Sequence, residues 1–310
     1  MIFIYNNLCL QNRRIIFDIL EIVNKITALE NALYVISTPI GNMMDITLRA
    51  LEVISNVDYL FCEDTRVTNK LLEYFNFDKK SLFVYNDFSK DYEREKIIKL
   101  LRDGKKIGLV SDAGTPLVSD PGFKLVRECK DNNIKVIPIC GASAVLSALV
   151  ASGLPSDKFL FYGFLPEKEN ERLKELNKLR YRQETIIFYE SPKRVMFALN
   201  DIYNIIGDVE VCLAKELTKQ YEEIKTDNIK NIIDYLNNNQ DKIRGEFVLI
   251  LKNQLLKSNS DIDIEKIKII YDNLHSVMKI KDIVDFIIKI GYNYNRKELY
   301  DLLITIQEKN

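Results

Sequence analysis

The sequence predicts an α/β protein with two consecutive α/β domains and a small helical segment at its C-terminus. From residue 33 onward, short apolar strands alternate with amphipathic helical segments. A helix rich in small residues stops at Gly153-Leu154-Pro155, and a polar stretch near residue 253 precedes purely helical periodicity. We therefore expect an N-terminal extension over 1–32, α/β domains over 33–153 and 154–252, and a linker with a helical appendage over 253–310.

The first domain is predicted to contain a mainly parallel sheet that is covered by helices on both faces. Its strands are short apolar runs at 33–37, 57–63, 82–86, 106–112 and 135–140. Helical periodicity separates or follows them at 45–56, 65–77, 93–103, 121–132 and 142–153. Nearly continuous apolar strands indicate burial on both faces, which is typical of parallel sheets.

The second domain is predicted to have the same alternation of strands and helices, with elements of different lengths. Its predicted strands are 159–164, 184–191, 209–216 and 246–252, and its predicted helices are 168–181, 192–206 and 228–238. Beyond residue 264, two amphipathic helices flank a Gly-Tyr-Asn turn at 291–293. This outline fits either a helix-turn-helix nucleic-acid reader or a plain helical hairpin.

Composition excludes several classes of function. The 44 basic residues nearly balance the 45 acidic ones, so any RNA binding has to come from a local patch. The only histidine, His275, lies near the C-terminus, which excludes a histidine triad or a histidine zinc site in the main body. No metal site is expected. The five cysteines form no CxxC pair and no apolar run could span a bilayer, so we expect a cytoplasmic protein without a membrane contact.

Four strand-to-helix junctions have small residues where ordinary loops have charged ones. They are the segments 37–42, 111–116 running on to 119–122, 141–144 and 189–192. Ligands of α/β sheets bind at the carboxyl ends of strands, and small residues let a ligand approach the backbone. The sequence has neither G-x-G-x-x-G nor G-x-x-x-x-G-K-S/T, the motifs typical of a dinucleotide-binding fold and of a P-loop. Both kinds of nucleotide site are therefore disfavoured. We expect a cleft for a nucleoside.

Several specific motifs follow one another through residues 33–252. They read STPIGN, CEDTR, GLVSDAGTPLVSDPG, GASAVLSALVASGLP, FYESPKR, AKELTKQYEE and GEFVLIL. In this order they resemble the bacterial ribosomal RNA small subunit methyltransferase I family of the tetrapyrrole methylase superfamily. The segment 264–310 more loosely resembles the small helical domain of that family.

The resemblance implies two α/β domains of the tetrapyrrole methylase type with S-adenosyl-L-methionine (AdoMet) in the cleft between them, and a homodimer. It implies 2′-O-methylation of a cytidine ribose in 16S rRNA, at the family site cytidine 1402, with the 30S subunit as the expected setting. The motif positions that match the cofactor side are Pro39, Gly41, Asp112, Ala113, Gly114, Gly141, Ser143, Ala144, Tyr189 and Ala214.

The chain departs from the family pattern where histidines are common. Val67 and Lys193 stand at such positions, so carboxylates become the candidate bases for the ribose hydroxyl. The catalytic candidates are Glu63, Asp64, Arg66 and Glu190, and those for contacting RNA are Arg66, Lys193 and Arg194. The plainer alternatives are a helix cap for Asp64 or Thr65 and a surface ion pair for Arg66.

Two other functions remain open, together with one structural question. A tetrapyrrole methylase is disfavoured by CEDTR, FYESPKR and the C-terminal helices. A non-catalytic AdoMet-binding ribosome-assembly factor is disfavoured by the intact small-residue loops. The alternating aromatics Phe159, Phe161, Tyr162 and Phe164 predict a buried strand and not a stacking platform for RNA.

Overall fold

The computed structural model describes residues 29–77, 80–86, 89–180, 182–252, 264–290, 292 and 294–309. The chain divides into two compact units, Met1–Asn253 and Gln254–Asn310. Most of the predicted N-terminal extension and of the linker lies outside the described residues. The α/β fold class is confirmed, whereas the domain boundary near residue 154 stays a prediction.

A parallel five-stranded sheet forms the first part of the larger unit. Its strands are β1 (Leu33–Ile36), β2 (Tyr59–Cys62), β3 (Leu82–Val84), β4 (Ile107–Val110) and β5 (Val136–Ile139), in the spatial order β3-β2-β4-β1-β5. The observed strands lie inside the predicted ones. β4 is buried at every position, as expected for a strand covered on both faces.

Four helices connect these strands, and a fifth follows β5. They are α1 (Leu48–Asn56), α2 (Thr65–Tyr74), α3 (Asp91–Arg102), α4 (Phe123–Asp131) and α5 (Ala144–Ala151). The Thr47 hydroxyl caps α1 by accepting from the Ala50 N–H at 3.1 Å, which satisfies a donor that the first helical turn leaves without a partner. Gly108 in β4 leaves space for the Leu60 side chain, because a Cβ at this position would lie only 2.7 Å from the Leu60 Cδ1.

A mixed five-stranded sheet forms the second part of the same unit. Its strands are β6 (Phe159–Phe164), β7 (Thr185–Glu190), β8 (Glu210–Lys215), β9 (Glu223–Asn228) and β10 (Phe247–Lys252), in the order β6-β7-β10-β8-β9. Only β6 and β7 are parallel; β10 runs antiparallel to β7 and β8, and β9 runs antiparallel to β8. The sequence did not predict β9, because its residues EIKTDN are polar and it pairs only at the sheet edge.

Three helices pack on this sheet: α6 (Glu169–Leu179), α7 (Val195–Ile206) and α8 (Ile229–Asn238). Their apolar faces meet a core in which Phe188 of β7 and Phe247 of β10 are fully buried. Burial of large apolar side chains of this kind stabilises a fold by about 1.5–3 kcal/mol each. The packed core under this sheet therefore holds the residues at the end of β7 in position.

The smaller unit contains three helices with their own core. They are α9 (Ile264–Leu274), α10 (Ile280–Lys289) and α11 (Arg296–Lys309), and Ile283, Ile287 and Leu303 are fully buried among them. The two helices expected around 291–293 correspond to α10 and α11, and Gly291 and Asn293 lie outside the described residues. Within the described part of the chain, no helix has the length and apolar character needed to cross a membrane.

Candidate functional site

The loops that follow β1 and β4 are joined by backbone hydrogen bonds. The Thr38 N–H donates to the Gly114 carbonyl at 2.8 Å, and the Gly114 N–H donates to the Thr38 carbonyl at 3.0 Å. The hydroxyl oxygens of Ser37 and Thr115 lie 3.0 Å apart and add a second link. Gly114 has φ +80°, a left-handed conformation that glycine adopts without strain. The two loops therefore form one unit at the carboxyl edge of the first sheet.

The loop that follows β5 packs against this unit. The Thr115 hydroxyl donates to the Ala142 carbonyl at 3.1 Å. A Cβ on Gly141 would lie 2.8 Å from the Ser37 Cβ, so the approach of the two loops requires glycine. Because β4, β1 and β5 are neighbours in the sheet, all three loops meet at the edge where α/β sheets bind ligands.

Asp112 links the β4 loop to the end of β2. Its Oδ1 accepts from the Asp64 N–H at 3.0 Å. Burial raises the pKa of Asp112, and the hydrogen bond from Asp64 opposes part of that rise. The carboxylate is therefore held in one orientation.

Asp64 caps α2 and binds Arg66. Its Oδ1 accepts from the Arg66 N–H at 2.8 Å, and the guanidinium reaches both oxygens, with Nε 3.0 Å from Oδ1 and Nη2 2.5 Å from Oδ2. The side-chain hydrogen bond from Arg66 is the main reason that the pKa of Asp64 falls to about 2. A carboxylate with so low a pKa is a weak base. The geometry thus agrees with the alternative of a helix cap and a surface ion pair.

Glu190 is buried at the end of β7 and faces Arg194. Its side chain has 0% exposure, and the Arg194 Nε lies 3.3 Å from its Oε1 as an ion pair. The Arg194 Nη2 donates to the Glu190 Oε2 at 3.4 Å. The Ser191 N–H donates to the Glu190 Oε1 at 2.9 Å. Burial raises the pKa of Glu190, while Ser191 and the charge of Arg194 oppose the rise. Arg194 also donates to the Leu165 carbonyl, so this pair joins the ends of β6 and β7.

Tyr189 connects the second sheet to the helix after the β5 loop. Burial raises the pKa of Tyr189 to about 12, the Asp120 carboxylate adds to the rise, and a hydrogen bond with the Val145 backbone opposes it. Val145 lies in the first turn of α5. The Tyr189 ring packs edge-on against Phe161 and Phe164, with centroid distances of 4.9 and 5.6 Å.

The β1 loop also contacts the turn between β8 and β9. The Asn42 N–H donates to the Thr218 hydroxyl at 3.0 Å. A Cβ on Gly41 would lie 2.5 Å from the Lys219 Cγ and 2.8 Å from the Thr218 Oγ1. The Lys219 ammonium binds the Glu246 carboxylate at 2.7 Å. Direct contacts therefore hold the two sheets together at this edge.

Two adjoining cavities lie along these loops. Their volumes are about 420 and 300 Å³, within the usual range for small-molecule sites. Both are lined by Ile40, Asp112, Ala113 and Glu246. The larger one has walls from both sheets, since the β4 and β5 loops and the ends of β6 and β7 all line it.

The larger cavity is acidic. Its lining includes five carboxylates, and none of its described lining residues is basic; the five are Glu63, Asp112, Asp120, Glu190 and Glu246. Much of the remaining wall is small, with Ala113, Gly114, Ser119, Ser143 and Ala144. Such a cavity favours a positively charged ligand and disfavours a phosphate.

The structure brings most of the predicted site residues to these cavities. Asp112, Ala113, Gly114, Ser143, Ala144, Tyr189, Glu63 and Glu190 line the larger one, and Pro39 and Gly41 line the smaller one. Six others are not in either lining: Gly141, Ala214, Asp64, Arg66, Lys193 and Arg194. Gly141 packs on Ser37 of the β1 loop. Ala214 pairs with Val248 of β10, and Val248 lines the larger cavity. The roles of all these residues stay predictions.

Sequence reasoning assigned no role to several residues of the wall. Ser119 and Asp120 belong to the predicted small-residue loop after β4, and Glu246 precedes β10. Phe164 also lines the larger cavity and is 52% exposed, so the prediction that it belongs to a buried strand was wrong; Phe159 is likewise 42% exposed. Among the described residues, no group of three or more His, Cys, Asp or Glu side chains is arranged to hold a metal ion.

Comparison with known sequences gives consistent relatives. The family model of tetrapyrrole (corrin/porphyrin) methylases matches residues 32–233. Proteins named ribosomal RNA small subunit methyltransferase I are similar over most of the chain. The Pasteurella multocida protein is 39% identical, covering 88% of this chain and 96% of the relative. The Rickettsia prowazekii protein is 40% identical, covering 89% and 97%, and the Bacillus subtilis protein is 43% identical, covering 76% and 78%.

Solved structures with a similar fold are more distant in sequence. Cobalt precorrin-4 methyltransferase matches with a TM-score of 0.52 and 18% identity, covering 72% of this chain and 95% of its own. Diphthine synthase matches with a TM-score of 0.53 and 14% identity, covering 71% and 89%. At these identities the likeness concerns the fold alone.

The ion pair at the start of α2 gives a first prediction. Replacing Arg66 with Ala removes the main hydrogen bonds to Asp64, so we expect the pKa of Asp64 to rise from about 2 toward its ordinary 3.8. Carboxyl chemical shifts of Asp64 followed by NMR during an acid titration measure this change. Lys70→Ala is the matched control and should move the pKa far less, because Lys70 makes only the smallest contribution. An unmoved midpoint in Arg66→Ala would contradict the assignment of Asp64 as an ion-paired cap.

Proposed function

The chain belongs to the ribosomal RNA small subunit methyltransferase I family of tetrapyrrole methylases, and on that premise we propose that it methylates a cytidine ribose of 16S rRNA. The methyl donor is AdoMet, and the acceptor is the ribose 2′-hydroxyl of cytidine 1402 within the 30S subunit. The active particle is a homodimer in the cytoplasm. The single observation that carries the proposal is the acidic, small-residue cavity between the loops of both sheets.

The larger cavity is suited to AdoMet in size and charge. When bound, AdoMet supplies an activated methyl group on a positively charged sulfur. Of the five carboxylates of the lining, Glu63, Asp112 and Asp120 complement the sulfonium and the ammonium of such a molecule. Glu190 and Glu246 are paired with Arg194 and Lys219. Gly114 leaves space in the cavity beside Ile40, because it has a left-handed backbone conformation and no side chain.

The cofactor residues fall into two groups. On the first sheet, Asp112, Ala113, Gly114, Ser143 and Ala144 would hold the cofactor, mostly through backbone groups and one carboxylate. On the second sheet, Tyr189 closes the cavity, with Val248 beside it. Fixed walls on both sides align two reactants, and alignment of this kind can lower a barrier by about 7–11 kcal/mol in the best cases.

Glu63 is the proton acceptor in this proposal. It lines the larger cavity and is half-buried at the end of β2, next to Asp64, whose N–H holds Asp112. Asp64 itself is less suitable, because Arg66 keeps its pKa near 2. A positioned base typically contributes about 10²–10⁴-fold to the rate of proton transfer.

Glu190 has a positioning role. Its side chain has 0% exposure and is paired with Arg194, so it holds the turn at 191–194 instead of contacting the substrate. That turn carries Lys193, which is exposed. Lys193 and the 86% exposed Arg66 are available outside the cavity for RNA phosphates, where positive charge supports binding without sequence readout.

The enzymatic proposal predicts where a labelled methyl group appears. The full chain is incubated with 30S subunits and methyl-labelled AdoMet, and the rRNA is digested to nucleosides for mass spectrometry. We expect the label in 2′-O-methylcytidine, because the acidic cavity favours a sulfonium donor and contains Glu63 as the acceptor of the ribose hydroxyl proton, while the RNA phosphates stay outside it. Light scattering on the same preparation tests the dimer, whose mass should be about twice that of the 36.1 kDa chain.

Other locations of the label would favour the alternatives. A parallel incubation with a uroporphyrinogen substrate should give no product; label on a macrocycle carbon would indicate a tetrapyrrole methylase. AdoMet binding without transfer to either substrate would indicate a non-catalytic assembly factor. Either result would overturn the proposal.

The proton acceptor is tested by Glu63→Gln. We expect the kcat for 30S methylation to fall by about 10²–10⁴-fold, because the amide has a similar shape and cannot accept the hydroxyl proton. AdoMet affinity, measured by calorimetry, should change by no more than about twofold. The matched control is Asp64→Asn, which retains a capping oxygen and should keep the kcat close to that of the wild type.

The reverse pattern would reject this assignment. A kcat close to wild type in Glu63→Gln, together with a large loss in Asp64→Asn, would identify the wrong carboxylate. Loss in both variants with weakened AdoMet binding would mean that the β2 loop supports the cofactor and not the proton transfer.

A further inference from the structure

Phe164 is an aromatic side chain that the function proposed above does not use. It is the last residue of β6, it lines the larger cavity, and yet it is 52% exposed. A phenylalanine gains stability mainly when its ring leaves water. One edge of the ring contacts Tyr189, and the half that stays exposed in the cavity wall is therefore a surface that a flat apolar group can cover.

A bulge in β6 precedes this ring. The pairing of β6 with β7 shifts register between Phe161 and Gly163, and Gly163 has φ +82°. A bulge redirects the side chains that follow it, because adjacent strand residues point to opposite faces. A Cβ on Gly163 would lie 3.2 Å from the Ser119 Oγ, so the bulge contacts another residue of the cavity wall. The local backbone thus puts Phe164 at the cavity.

One exposed cation follows the cavity wall near this ring. Lys193 is exposed and comes directly after Pro192, which lines the larger cavity. Arg194 is paired with Glu190 and Glu167 and donates to the carbonyl of Leu165, the residue after Phe164, so it fixes the end of β6 and is not a phosphate contact. An exposed aromatic ring together with a nearby cation is a combination that binds single-stranded nucleic acid, since the ring stacks on a base and the cation pairs with a phosphate.

We propose that Phe164 stacks on the base of the nucleotide that is methylated. The inference rests on the proposed function, because it assigns an RNA base to this ring. The base stays at the edge of the cavity, the ribose reaches the acidic interior, and the phosphate lies toward Lys193. Phe164 is therefore a positioning residue for the RNA substrate and not a contact of the cofactor.

The test separates substrate binding from cofactor binding. KM and kcat for 30S subunits are measured at saturating AdoMet for the full chain and for Phe164→Ala, Phe164→Leu and Phe164→Tyr. Loss of one stacked base corresponds to roughly a 5- to 100-fold rise in KM. We expect that rise in Phe164→Ala and much of it in Phe164→Leu, whereas Phe164→Tyr retains the ring and a KM within about twofold of the wild type.

Two controls distinguish stacking from a structural effect. Phe159→Ala removes a 42% exposed ring from the same strand that does not line the larger cavity, and its KM should stay unchanged. The chain has no tryptophan, so Phe164→Trp gives a single fluorescent reporter at this position. AdoMet alone should leave the emission of that variant unchanged, and calorimetric AdoMet affinity should be the same in all variants.

Four results would overturn the inference. They are an unchanged KM in Phe164→Ala, full rescue by Phe164→Leu, weaker AdoMet binding in Phe164→Ala, or quenching of the Phe164→Trp emission by AdoMet alone. The last two would mean that the ring stacks on the cofactor. Failure of the proposed function itself is recognised separately, since the wild-type chain would then transfer no label to 30S rRNA.

Discussion

The close packing of three loops at the carboxyl edge of the first sheet is the constraint on which the rest of the site depends. Thr38 and Gly114 exchange two backbone hydrogen bonds, and Gly141 approaches Ser37 so closely that a Cβ would overlap it. Because these loops bind each other through the backbone and small side chains, they form a smooth wall. The same β1 loop packs on Lys219 through Gly41, so the wall is also fixed to the second sheet.

Charge divides the site into an interior and an edge. The carboxylates of the larger cavity suit a cationic ligand, while Arg66 and Lys193 lie outside its lining, where the proposed function puts the RNA phosphates. Burial raises the pKa values of Asp112 and Glu190, whereas the ion pair with Arg66 holds the pKa of Asp64 near 2. The two neighbouring acids Glu63 and Asp64 differ in position, since Glu63 lines the larger cavity and Asp64 pairs with Arg66 outside it.

Much of this arrangement follows from local sequence, and some of it does not. Periodicity predicts every strand of the first sheet, because each is a short apolar run. Burial on both faces explains this for β4, but not for β3, where Phe83 and Val84 are exposed. Periodicity misses β9, because an edge strand with the sequence EIKTDN has no apolar pattern, and it cannot reveal that β10 runs between β7 and β8. The small-residue loops predict part of the wall of the larger cavity. The exposure of Phe164 depends on the bulge at Gly163, and Glu246 reaches the cavity from a distant part of the chain. Neither feature could be predicted from the spacing of motifs along the sequence.

The most direct test of the account is the affinity of AdoMet for a variant with a reversed charge in the wall. Asp112→Arg puts a cation between the two cavities that Asp112 lines, and isothermal calorimetry should then detect no AdoMet binding. Asp103→Arg makes the same change at an exposed position outside both linings, and its affinity should equal that of the wild type. Wild-type affinity in Asp112→Arg, with the fold intact by circular dichroism, would contradict the claim that the strand-end loops form the cofactor site.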